Sequence, residues 1–112
     1  MGLFTKVPSV TGSEAVDLVA QGATLVDVRE TSEWNAGHAP QAIHLPLSTL
    51  GDTGRLRGAG PFVLVCASGH RSRSGAKDLR DRGLEAFTLS GGMRSWASAG
   101  GRVVDRKGRP LR

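Results

Sequence analysis

Three short runs rich in β-branched and apolar residues, Thr24-Leu25-Val26-Asp27-Val28, Phe62-Val63-Leu64-Val65-Cys66 and Ala86-Phe87-Thr88-Leu89, alternate along the chain with segments of helical spacing. A buried strand followed by a helix must cross back over its sheet to reach the next strand. This alternation therefore predicts an α/β fold of βα units, with a mostly parallel sheet covered by helices on both faces. Thr11-Gly12-Ser13-Glu14 fits a capping box with Thr11 as N-cap; Ala15, Leu18 and Val19 give the helix an apolar face, and Gly22 is a natural stop. Thr31 to Ala36 reads as a single helical turn ending at Gly37, and Ala42 to Leu45 as a weaker strand closed by Pro46. Gly51 to Gly60 is a glycine-rich loop with room for a helical turn. A helix is expected from about Ser72 to Arg82, ended by Gly83, with Gly75, Ala76 and Leu79 toward the sheet and Arg73, Lys77, Arg80 and Asp81 in solvent. Gly91-Gly92 then turns into a last helix carrying Met93, Trp96 and Ala97 as packing residues.

Length and charge narrow the function. A chain of 112 residues suits one domain with one core. The formal charge of +5 is concentrated at the C-terminus, where Arg102, Arg106, Lys107, Arg109 and Arg112 face a single acid, Asp105. The expected division is a domain over 1–101 and a short basic tail over 102–112, read as a solvated end. No aromatic residue interleaves with those bases, which argues against nucleic acid as a partner. No apolar stretch is long enough to span a bilayer, and Met1 to Lys6 lacks a signal-peptide core, so no membrane partner is expected and the cytoplasm is the default location. One cysteine allows no internal disulfide, which fits a reducing compartment. One cysteine and three scattered histidines lack paired ligand spacing, so neither a metal nor another cofactor is expected.

That cysteine, Cys66, closes the second strand and opens the stretch Cys66-Ala67-Ser68-Gly69-His70-Arg71-Ser72. A strand turning directly into a helix places the thiol beside the unpaired first amides of the helix, where the dipole favours negative charge. Cations and helix N-termini draw a thiol below its ordinary value near 8.5, and the thiolate is the nucleophile. Gly69 lets the backbone of Ala67, Ser68 and His70 bend toward the sulfur as an anion cradle. Arg71 is the natural clamp for the oxygens of an anionic substrate. Ser72 reads as the helix N-cap, with a hydrogen bond to sulfur as a second role. The competing reading is a buried, inert thiol at a strand end. His70 reads as an exposed residue tuning local charge, and His38 as a turn residue hydrogen-bonded to backbone.

Asp27-Val28-Arg29-Glu30, Glu33-Trp34, Gly37-His38-Ala39-Pro40, Ala42-Ile43 and Leu45-Pro46 closely resemble the first signature of rhodanese domains. The stretch Cys66 to Ser72 is similar to their active-site loop, and Gly91-Gly92-Met93 with Trp96 to their C-terminal motif. The resemblance spans about residues 3–101 and implies a rhodanese-like five-stranded sheet flanked by helices. It also implies thiosulfate sulfurtransferase chemistry: Cys66 takes a sulfane sulfur from a small anionic donor as a persulfide and passes it to cyanide, a thiol or a sulfur-accepting protein. Backbone amides of residues 67–71 would hold the persulfide and Arg71 the sulfonate. Asp27 and Arg29 are structural in this reading, a buried carboxylate and a salt bridge, with Glu33 a candidate partner of Arg29.

Two rivals share the fold. Phosphatases and arsenate reductases of the superfamily place five residues between cysteine and arginine, enough for a tetrahedral phosphate. Here four residues separate Cys66 from Arg71, a tighter cradle suited to one sulfur atom. Non-catalytic modules of the fold bind partner proteins, but commonly lose the cysteine that this chain keeps.

Overall fold

The computed structural model describes residues 7–46, 56, 60–66 and 70–111, with His70 placed by its backbone alone. Five strands, β1 (Ser9–Val10), β2 (Thr24–Asp27), β3 (Ile43–His44), β4 (Phe62–Val65) and β5 (Ala86–Leu89), form one sheet in the order β1-β5-β4-β2-β3. Every ladder is parallel, so the expected mostly parallel sheet is parallel throughout its described strands. Four helices are described: α1 (Gly12–Ala20), α2 (Thr31–Ala36), α3 (His70–Asp81) and α4 (Gly92–Ser98). The loop reading for Gly51 to Gly60 falls outside the described residues except at Leu56 and Gly60.

Period-two alternation along the strands creates two cores, one on each face. Leu25, Val63, Val65 and Leu89 pack with Ala15 of α1 and Trp96 of α4. Val26, Phe62, Leu64, Cys66 and Ala86 pack with Ala76 and Leu79 of α3. Helices therefore cover both faces, as a parallel sheet of buried strands requires. The predicted capping box on α1 is present: the Thr11 side chain accepts from the Glu14 amide at 3.1 Å, and the Thr11 amide donates to Glu14 Oε1 at 2.8 Å. The turn into α4 needs positive φ at two successive residues, +82° at Gly91 and +61° at Gly92, which glycine alone adopts cheaply.

Gly12 meets a different demand, because a Cβ there would lie 2.2 Å from the Ser95 carbonyl oxygen on α4. The two helices touch through that gap. Gly12→Ala is expected to cost about 1–3 kcal/mol by forcing the helices apart, readable as a lower midpoint in urea unfolding.

The basic segment after residue 101 is not a solvated end along its length. The His38 amide donates to the Val104 carbonyl at 3.0 Å and the Val104 amide to the His38 carbonyl at 2.8 Å, while the Trp96 indole donates to the Arg102 carbonyl at 2.9 Å. Val104 is buried, whereas Arg102, Arg106, Lys107 and Arg109 remain exposed. The charges are solvated and the chain that carries them is anchored. Its packing rests on two adjacent valines, Val103 and Val104, and an indole partner, too little apolar periodicity to stand out from the surrounding charge.

Candidate active site

Two adjacent parallel strands, β2 and β4, point their carboxyl ends the same way, and the candidate site forms on the segments that leave them. Asp27 ends β2, wholly buried, and its carboxylate accepts from Arg29 Nε at 2.9 and 3.1 Å, from Arg29 Nη2 at 2.7 Å and from the Arg29 amide at 3.0 Å. The same Nη2 donates to the Gly37 carbonyl at 2.7 Å, so one guanidinium joins the strand end to the far end of α2. A buried carboxylate and salt bridge were expected here. The partner expected for Arg29 from sequence was Glu33, however, and the structure gives Arg29 to Asp27 instead, two residues away.

Glu33 reaches the other strand. Its Oε1 accepts from the Glu30 amide at 2.9 Å and from Arg71 Nη1 at 3.0 Å, and its Oε2 accepts from Arg71 Nη2 at 3.3 Å. The carboxylate is thus fixed in the first turn of α2 and clamps the first turn of α3. Hydrogen bonding from Arg71 holds the Glu33 carboxyl below the usual glutamate value, and the same bond, with the Cys66 sulfur contributing as a negative charge, holds Arg71 above its own. A depressed carboxyl stabilises the fold above its unfolded value and loses that contribution as pH falls through the folded one. The pair should therefore persist at neutral pH and in mild acid, releasing Arg71 only below the ordinary glutamate range of about 4.3. A titration of the Glu33 carboxyl by NMR checks this.

Trp34 of α2 stacks between two imidazoles, with centroids 3.7 Å from His38 and 4.6 Å from His44 and planes within 9°. His38 Nδ1 lies 2.8 Å from the Trp34 carbonyl and His44 Nε2 lies 2.9 Å from the Arg29 carbonyl. A carbonyl only accepts, so each of those nitrogens carries its proton. This matches the reading of His38 as a turn residue bound to backbone. Both histidines brace the chain after β2 through these contacts.

Cys66 continues the α3-facing side of β4 and is closed to solvent at 0% exposure. Its Sγ lies 3.5 Å from Ser72 Oγ, and the Ser72 hydroxyl is in turn hydrogen-bonded to Thr88 Oγ1 of β5. Ser72 was expected as the N-cap; α3 instead begins at His70, which places Ser72 inside the first turn with its side chain toward the sheet. A residue inside the helix is not its N-cap, and the hydroxyl meets the sulfur, which is its second expected role, and Thr88. Arg80, expected in solvent, turns back to donate to the Ala86 carbonyl at 3.2 Å. Ala67, Ser68 and Gly69 of the expected cradle, and the side chain of His70, lie outside the described residues.

The structure thus brings Cys66, Arg71, Ser72 and Glu33 together and keeps Asp27 and Arg29 as a separate buried brace. Sequence reading missed Thr88. Its only signal was a hydroxyl two residues beyond Ala86 on the face that meets α3, and a threonine in a strand is indistinguishable from ordinary β-propensity.

The chain matches the family model of the rhodanese-like domain over residues 11–99. A rhodanese-related protein from Thermoplasma volcanium superposes with a TM-score of 0.76 at 28% identity, over 87% of this chain and 97% of its own. A rhodanese-like domain protein from Staphylococcus aureus superposes with a TM-score of 0.69 at 29% identity, over 80% and 91%. A Rhodopseudomonas palustris protein of unknown function, described as a possible tyrosine phosphatase, superposes with a TM-score of 0.66 at 28% identity, over 85% and 83%. A match across most of the sequence, on a five-stranded parallel sheet with the cysteine at the end of its central strand, makes this chain a member of the rhodanese-like domain family.

Proposed function

We propose that this protein is a sulfurtransferase in which Cys66 carries a sulfane sulfur from thiosulfate, or a donor of like chemistry, to cyanide or a thiol. The observation that carries this reading is the polar setting of a fully buried sulfur. Sγ lies against the Ser72 hydroxyl and within electrostatic reach of the Arg71 guanidinium, at the first turn of a helix of 12 residues. An inert core thiol would show the same burial but would need neither a hydroxyl nor a cation beside it. In the forward half-reaction the Cys66 thiolate attacks the outer sulfur of thiosulfate. A new S–S bond forms, the bond from that sulfur to the sulfonate sulfur breaks, and sulfite leaves with the electron pair. The enzyme holds a persulfide anion. Cyanide then attacks the terminal sulfur, thiocyanate departs, and the thiolate returns, with no net oxidation of the protein.

Arg71 suits the sulfonate end because a guanidinium offers two parallel donors to oxyanions. Glu33 already occupies those donors, so donor binding exchanges one bidentate anion for another or shares the fork with it. Arg71→Ala is expected to raise the apparent KM for thiosulfate about tenfold, with a smaller fall in kcat; steady-state thiocyanate formation against donor concentration separates the two. A phosphatase reading, suggested by the Rhodopseudomonas relative, is disfavoured by the four-residue interval between Cys66 and Arg71, one short of a phosphate cradle.

The deciding experiment is intact-mass spectrometry after incubation with thiosulfate. The expected result is one added sulfur atom, lost on treatment with cyanide. A protein that takes up no sulfur, yet hydrolyses a phosphate ester, would overturn the assignment.

A further inference from the structure

Thr88 has no part in the reaction as written above, yet it is the residue that the Ser72 hydroxyl touches on the side away from the sulfur. β5 carries Ala86 and Thr88 on its α3-facing side, and Thr88 pairs with Leu64 of β4, two residues before Cys66. Both hydroxyls are buried, so neither has bulk water as an alternative partner. We propose that Thr88 is a positioning residue for Cys66, acting through Ser72 by fixing the direction in which the Ser72 hydroxyl donates; this rests on Cys66 being the reacting thiol.

The argument is one of proton counting. A serine hydroxyl has one hydrogen. When Cys66 is a thiol, its S–H donates to Ser72 Oγ, leaving the Ser72 hydrogen to go to Thr88. When Cys66 is a thiolate it can only accept, so its contact with Ser72 survives only with the Ser72 hydrogen turned to the sulfur. Thr88 must then donate to Ser72 Oγ for the contact between them to survive. Ionisation thus reverses a two-bond chain, and the thiolate end gains because each bond polarises the next in a buried site. Without the Thr88 hydroxyl, the bond from Ser72 to the thiolate is no longer assisted from behind. The thiol form loses only a neutral bond, the weaker of the two kinds. Among the described residues, Arg71 interacts electrostatically with the sulfur and Glu33 and Glu30 act in turn on Arg71; none of them is altered by an exchange at Thr88.

The test is a pH titration of thiolate ultraviolet absorbance. One cysteine and no tyrosine in the chain leave Cys66 as the sole source of the signal. Thr88→Val keeps the shape and removes the hydroxyl, and is expected to raise the Cys66 midpoint by about half a pH unit. Thr88→Ser is expected to return it to the wild-type value. In a Ser72→Ala background, Thr88→Val should add no further shift, because the relay is already broken. Thr88→Ala serves in the same way should the valine variant not fold. A midpoint unmoved by loss of the hydroxyl, or moved equally with and without Ser72, overturns the proposal. Sulfur loading of the wild type from thiosulfate, measured alongside, fails only if the sulfurtransferase reading fails, and leaves the titration result standing.

Discussion

Cys66→Ser is expected to abolish sulfur transfer, a loss on the order of 10⁴-fold or more in thiocyanate formation. A serine hydroxyl is not ionised near neutrality, and its oxygen cannot hold a transferable sulfur as a persulfide does. The fold should survive. The exchange replaces one atom, and the new hydroxyl would sit beside Ser72 Oγ, which can partner it at the 3.5 Å contact now made by sulfur. Moving a hydroxyl into a site lined by Leu64, Ala76 and Leu79 should cost about 1 kcal/mol. Sulfite release and a thermal melt on the same sample separate the outcomes. Wild-type turnover in this variant would mean that another group accepts the sulfur, and the mechanism would be wrong.

The largest effect on stability is expected at Asp27. Its carboxylate accepts four contacts from Arg29 while fully buried, and Arg29 is itself almost closed to solvent. Asp27→Ala removes the anion and leaves the guanidinium buried with the Gly37 carbonyl as its remaining described partner. An uncompensated buried charge of this kind costs about 3–5 kcal/mol, a large share of the roughly 5–15 kcal/mol that holds a domain folded. The melting temperature should fall by about 15 °C. Asp27→Asn should recover part of the loss, since an amide oxygen still accepts from Nε or Nη2. Calorimetry on the three proteins would decide it, and a melting point for the alanine variant within a few degrees of wild type would show the pair to be dispensable.

Much of this architecture was legible along the chain because its signals are local. The capping box at Thr11 and Glu14, the single turn Thr31–Ala36 and the alternating strands at Thr24, Phe62 and Ala86 each depend on residues within a few positions of one another. β1 left no such trace, since two residues show no period, and it is paired only through β5, nearly eighty positions away. The pairings of the site were hidden for the same reason. Glu33 and Arg71 lie 38 residues apart and meet only because β2 and β4 are neighbours. With that contact unseen, Glu33 was matched to the nearer Arg29. Ser72 shows how a local rule yields to tertiary contact: serine ahead of a helical run looks like a cap until a sulfur and a threonine hydroxyl are placed against it. The location of Cys66 was legible because it needs only a strand followed by a helix. The surroundings of its sulfur needed the fold.

The borders of the sheet bear on how this molecule keeps company with itself. β1 and β3, the two outermost strands, are two residues long. Pro8 adjoins one, and Pro46 follows Leu45 beyond the other, each lacking an amide hydrogen to offer an incoming chain. Among the described residues, a fibril seed or a strand-exchanged dimer would find almost no open main chain on either side to build upon.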